Sequence, residues 1–341
     1  MRSVIGYIVC LVVALTIGYT FSPKAPPQAE VLAMRPDRVQ INGLLNLGAR
    51  VVAVGERGSV LLSDDQGVSW QPASVATQRN ATLTAVVALD ARRLLAVGHD
   101  GWILRSDDAG SSWREIRYDS DLGEPLLGIW SAGGDNVMAF GSFGKFYQSL
   151  DAGQSWTALP LDIDNAHLNS MAGGDDGRRM LVGEQGLVLR TTDGGQHWQT
   201  LPAFYSGSLF GIVRLSDADW VTYGMRGHVF VSHDFGDSWS QINVGNQLPL
   251  YGHALLPDHS GLVIVGAGSS VVRLNAKGAL VGVERLAGLG TLTSVTVVGS
   301  RLLVGGERGV LQGTGGSVAA RVATLPRECS RYVLSSYPMT G

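Results

Sequence analysis

The chain has 341 residues, a formal net charge of −3, only 16% charged residues and 46 glycines. That balance gives no basis for binding nucleic acid or an anionic surface, and two distant cysteines, Cys10 and Cys329, give none for a disulfide framework, a zinc site or a cysteine nucleophile. The seven histidines show no H-x-H or H-E-x-x-H spacing, so no metal and no cofactor is expected.

Residues 4–21, VIGYIVCLVVALTIGYTF, are uncharged and follow Arg2. The run is long enough to cross a bilayer and exceeds the usual apolar core of a signal peptide. Positive charge ahead of it predicts that everything after it is translocated, to the periplasmic or lumenal side. No convincing small-x-small cleavage site follows, so residues 1–22 read as an uncleaved anchor rather than a cleaved signal. Residues 23–38 are Pro-rich and polar, a short extended spacer.

From Val39 onward one octad, S/T-x-D-x-G-x-S/T-W, keeps returning. It ends at Trp70, Trp113, Trp156, Trp198 and Trp239, with steps of 41 to 43 residues; in the fourth copy His197 replaces the hydroxyl residue. The middle aspartates, Asp65, Asp108, Asp151, Asp193 and Asp234, are placed to accept backbone N–H bonds in their own turn, and the glycine two residues on supplies a left-handed step. The tryptophan reads as the first large residue of the next strand, covering the turn. These ten residues are expected to be structural.

A second turn, G-x-x-G, precedes each octad: Gly55–Gly58, Gly98–Gly101, Gly141–Gly144, Gly183–Gly186 and Gly224–Gly227. Two further copies follow, at 266–269, where Ser269 replaces the second glycine, and at 306–309, making seven; the Asp turns after them have decayed. In the second repeat these landmarks cut strands at 82–88, 93–97, 102–106 and 112–117. Four short strands per unit of about 42 residues, seven times over, predict an all-β, seven-bladed β-propeller of four-stranded blades over 39–326. The blades are expected at 39–79, 80–122, 123–165, 166–205, 206–247, 248–289 and 290–326, with an irregular tail at 327–341.

In a meandering blade the Asp turns and the first hairpin turns share one face. The G-x-x-G turns and blade-to-blade links share the other. The Asp turns repeat one pattern, whereas the middle residues of the G-x-x-G turns vary, so the second face is the candidate docking surface. It should carry Glu56, Arg57, His99, Asp100, Phe143, Glu184, Gln185, Met225, Arg226, Glu307 and Arg308, with Tyr118, Phe204, Tyr205 and Tyr251 near the links. Arginine and aromatics are what interface centres favour.

The repeats resemble the Asp-box (BNR) superfamily. The paired motifs VGERGSVLLSDDQGVSW (54–70) and VGEQGLVLRTTDGGQHW (182–198), behind a membrane signal, look like the photosystem II stability and assembly factor family. That resemblance implies a non-enzymatic, monomeric scaffold that binds a membrane protein complex and helps it assemble or work. Relatives in non-photosynthetic bacteria accompany exporters of the resistance-nodulation-division type, which implies a second kind of partner. The alternative is a sialidase-like glycoside hydrolase, which shares Asp boxes and shape. It would need an arginine cluster, an acid/base carboxylate and a tyrosine with a glutamate partner. Arg57, Arg226, Arg308 and Glu184 are the candidates, but no F/Y-R-I-P motif appears, and MRPD (34–37) is a poor approximation.

Overall fold

The computed structural model describes residues 6–7, 11–13, 16, 38–121 and 123–313. The chain divides into units at 1–34 and 35–341. In the first, the described residues are helical, and no described helix is long and apolar enough to cross a membrane. Most of the proposed anchor and spacer, residues 314–326 and the tail lie outside the described residues.

The second unit holds seven antiparallel sheets in ring order. Their innermost strands are Ile41–Asn46, Leu83–Ala88, Leu126–Ser131, Leu168–Gly173, Leu209–Arg214, Leu250–Leu255 and Leu292–Val298. Five sheets have four strands. The second blade gains a fifth, because Ser74–Val75 in the link pairs in parallel with Ser112–Arg117. The seventh shows three, its expected fourth strand falling beyond the described residues. The ring closes where Asn46 Nδ2 donates to Val297 O at 2.7 Å and the Thr293 hydroxyl donates to Ile41 O.

Second strands such as Val51–Gly55 and Leu94–Gly98 are buried along their whole length. They have strands on both edges and blades on both faces, so they read as continuous apolar runs instead of alternating. Between the first two blades Val52, Val54 and Leu62 pack with Leu83, Leu94, Leu104 and Trp113. The core is thus a set of such layers, one per blade junction.

The Asp turns follow the expected chemistry and add one feature. In blade 2, Ser112 N and Oγ donate to Asp108 at 2.9 and 2.6 Å. Ser106 Oγ, opening the octad, donates to Asp108 at 2.8 Å and accepts Gly110 N at 2.8 Å. The first hydroxyl is therefore the hub of the turn. The same hydrogen bonds, led by the Ser69 hydroxyl, hold Asp65 down at about 2; at Asp108 burial opposes them, yet its pKa is still lowered. His197 stands in for serine, its Nδ1 lying 2.7 Å from Asp193. The expectation for tryptophan needs correction. Only Trp113 lies within a fourth strand and is nearly fully buried; the other four precede their strand and are half-buried. Asp108→Ala should lower stability by about 1–2 kcal/mol through unpaired turn donors, measured by denaturant unfolding.

Six G-x-x-G turns are single 3-10 turns whose third residue is left-handed, as at Arg57 (φ 55°) and Phe143 (φ 52°). The seventh differs: Gly306 pairs directly with Gly309, making a two-residue hairpin. The first glycine has a steric reason. A Cβ on Gly55 would fall 2.0 Å from Gln40 O.

Candidate docking face

The two loop sets separate as topology requires. On one face Arg50, in a first hairpin turn, pairs with Asp64 of an Asp turn at 2.6 Å. On the other, link carbonyls accept the N–H of the turn's fourth residue: Gly101 to Glu124 O at 3.1 Å, Gly144 to Ala166 O at 3.0 Å, Gly186 to Gly207 O at 2.8 Å.

The eleven turn residues are not equivalent. Glu56 accepts Gln40 N at 3.3 Å, and Glu184 accepts His167 N at 3.3 Å with the His167 ring 3.5 Å away. Tyr118 OH donates to Asp100 at 3.4 Å. These three carboxylates are half-buried; Glu56 and Glu184 pin the chain entering their blade, and Asp100 the chain leaving its own. Arg57, His99, Phe143, Gln185, Met225, Arg226, Glu307 and Arg308 are exposed. Arg308 donates to Gly288 O at 2.6 Å, and Phe143 stands edge-on to His167. Of the link aromatics, Tyr118 lies under the Arg79 guanidinium, while Phe204 and Tyr205 pack on the core, Phe204 stacking on Trp239. Tyr118, Phe204 and Tyr205 are half-buried, whereas Tyr251 is exposed, beside Phe210.

Arg57, Arg226 and Arg308 sit on blades 1, 5 and 7. Arg226 is two blades from Arg308 and three from Arg57. Among the described residues no group of three or more His, Cys, Asp or Glu could hold a metal ion.

The channel mouth is the part that sequence reasoning missed. Every inner strand breaks register with its neighbour after its first residue, a bulge at the second position. Bulges re-aim a side chain. Here they turn Asn42, Thr84, Leu127, Asn169, Phe210, Tyr251 and Thr293 to the rim of a central cavity of about 330 Å³. Four of them latch the next blade: Asn42 to Leu83 O (2.9 Å), Thr84 to Leu126 O (2.8 Å), Asn169 to Leu209 O (2.9 Å), and Thr293 to Ile41 O. The signal was present in the repeats. Each inner strand begins Ile or Leu, then a variable residue, then Gly, Ala or Ser. Deeper in the wall Tyr223 OH meets His253 Nδ1 at 2.7 Å. Burial holds the imidazole down at about 4 and raises the phenol.

Ring, turns and faces together define a seven-bladed Asp-box propeller that presents loops on one committed and one free face. Residues 48–178 match the family model described as "Photosynthesis system II assembly factor YCF48". Two solved structures of that factor overlay on the chain. One, "YCF48 bound to D1 peptide", has a TM-score of 0.66 at 16% identity, covering 82% of this chain and 95% of that one. The other, YCF48 from Cyanidioschyzon merolae, has a TM-score of 0.62 at 17% identity, covering 82% and 97%. The WD40 propeller domain of Doa1 overlays as well, with a TM-score of 0.64 at 16% identity, covering 80% and 92%. These overlays show the fold. No curated protein matches. The chain resembles the YCF48 family, carried by the sequence match over its first three blades and the start of the fourth.

Proposed function

We propose that this protein is a non-enzymatic binding scaffold, similar to a photosystem II assembly factor, that docks on a membrane protein complex and assists its assembly, stability or activity. The asymmetry between the two faces carries this reading. The Asp turns spend their polar groups on themselves, whereas the G-x-x-G turns hold variable side chains outward on a stiff frame. The family match supports it, as does the likeness to the structure of YCF48 bound to D1 peptide, a propeller of this shape holding a peptide. The propeller acts on the periplasmic or lumenal side, tethered by residues 4–21; Arg2 and the uncharged run motivate that placement.

The test is capture of the partner complex from solubilised membranes. Arg57→Glu and Arg226→Glu should each weaken capture about tenfold while leaving the melting temperature within about 2 °C, because exposed turn substitutions perturb folding little. A control on the other face must avoid Asp107, which pairs at 2.6 Å with the buried Arg105, itself donating to Ala152 O of the next blade. Leu150, 71% exposed, serves instead as Leu150→Lys. Loss of capture with the control and retention with both arginine variants would assign docking to the Asp-turn face and overturn the proposal.

A further inference from the structure

Between its G-x-x-G turn and the end of its outer strand, blade 5 holds a cavity of about 440 Å³ lined by Arg226, His228, Gln241, Asn243, Asn246 and Gln247. No carboxylate lines it. Two of its amides are already half-committed: Asn243 Oδ1 accepts Gly245 N at 2.9 Å, and Asn246 Oδ1 accepts Leu248 N at 3.0 Å. Those bonds turn the two oxygens toward their own loop and leave the N–H₂ groups as donors. Arg226 has no ion pair among the described residues, and His228 Nδ1, out of contact with water, has no hydrogen-bond partner there. The His228 ring is fixed edge-on against Tyr205, with centroids 4.7 Å apart. The lining therefore holds one guanidinium without an ion pair, four side-chain amides that can donate N–H, and no negatively charged group.

The equivalent cavity of blade 4, between turn Glu184–Gly186 and Thr200, has the opposite chemistry. It is lined by Asp162, Asp164 and Glu184 over Ile163, Leu187 and Leu201. The corresponding turns of adjacent blades therefore border a carboxylate-lined cavity in one and a carboxylate-free cavity in the other. We infer that the blade-5 cavity is a carboxylate-binding subsite, taking an acidic side chain or the terminal carboxylate of a peptide. A planar monoanion suits a single guanidinium fork, which pairs with both carboxylate oxygens; a phosphate dianion would call for more positive charge than the lining supplies. The inference rests on the docking reading above, for it assigns what part of the partner that face takes.

The two can fail separately. Full-length protein labelled at its seven histidines is titrated, with NMR detection, using N-acetylglutamate amide, N-acetylalanine, inorganic phosphate and the neutral N-acetylglutamine amide. The expected result is a saturable shift of His228 with a carboxylate probe, none with the neutral one, and no shift of His167 beside the acidic cavity. Whichever of the first two probes binds tighter identifies a side-chain or a terminal carboxylate. Arg226→Gln should weaken the response at least tenfold. Asn246→Asp keeps the oxygen that accepts Leu248 N but places a carboxylate in the lining, and should abolish it. No His228 shift, a shift with phosphate alone, or one unchanged in Arg226→Gln overturns the subsite. The docking reading is judged apart from this by the Arg57→Glu capture result, since Arg57 lies on another blade.

Discussion

Gly186→Ala is expected to destabilise the propeller by at least about 3 kcal/mol and to lower its melting temperature by roughly 10 °C. Two costs combine at this residue. Its φ is +74°, in the left-handed region, and a Cβ there would fall 1.8 Å from Tyr205 O. A left-handed alanine alone costs about 1–2 kcal/mol. The second cost cannot be relieved by a rotamer, because the obstructing atom is backbone and the same link is tied down by Gly186 N donating to Gly207 O at 2.8 Å. Opening the contact would move the chain that carries Phe204 and Tyr205 into the core against Phe230. Gly299→Ala separates the terms: φ is +59° with nothing within 4 Å of the added carbon, so it should lose only about 1–2 kcal/mol. Equal losses in the two variants would show that the link relaxes and that turn and link are not rigidly coupled.

That coupling explains what could be read from the residues and what could not. The octads and G-x-x-G turns were legible because each is a local rule, solved by a few neighbouring residues and then repeated at a constant period. Ser63, Asp65, Gly67 and Ser69 meet within one turn, so their pattern announces the contact. The capping role of Glu56 and Glu184 was not legible, because the N–H that each accepts lies in a link some sixteen residues earlier, and nothing local marks it. The fifth strand of blade 2 depends on Ser74 and Val75 meeting Ser112 and Trp113 across the link, again without a nearby signal. The channel mouth is intermediate. Its Leu-x-small pattern recurs once per blade, but the middle position holds Asn, Thr, Leu, Phe or Tyr, and only the bulge unites them. The blade-5 cavity was least legible, because a pocket of neutral amides looks like an ordinary loop until the hydrogen bonds of Asn243 and Asn246 show which way those amides are turned.

Acid should expose the other buried pair. His253 borders the channel and keeps part of its surface, yet the wall around it dominates and holds its imidazole at about 4, against 6.5 for an ordinary histidine. Tyr223, buried, remains protonated and shares a 2.7 Å hydrogen bond with the neutral imidazole at Nδ1. Above pH 6.5 folded and unfolded chains are both neutral here, so this residue adds no pH dependence. As pH falls below 6.5 the unfolded histidine takes up a proton that the folded one refuses, and stability drops until the folded group protonates near pH 4. The full difference corresponds to about 3 kcal/mol; with the ring partly open to channel water, about 2 kcal/mol is expected. The Asp-turn carboxylates, Asp65 at about 2 among them, titrate below this window, so their loss is a separate and more acidic event. Urea unfolding between pH 7 and 4 measures the slope, and His253→Gln removes the titrating group while leaving a side chain that can accept from Tyr223. The slope between pH 6.5 and 4 should flatten in that variant. An unchanged slope would mean that other groups carry the acid sensitivity and that the channel wall admits the charged imidazole.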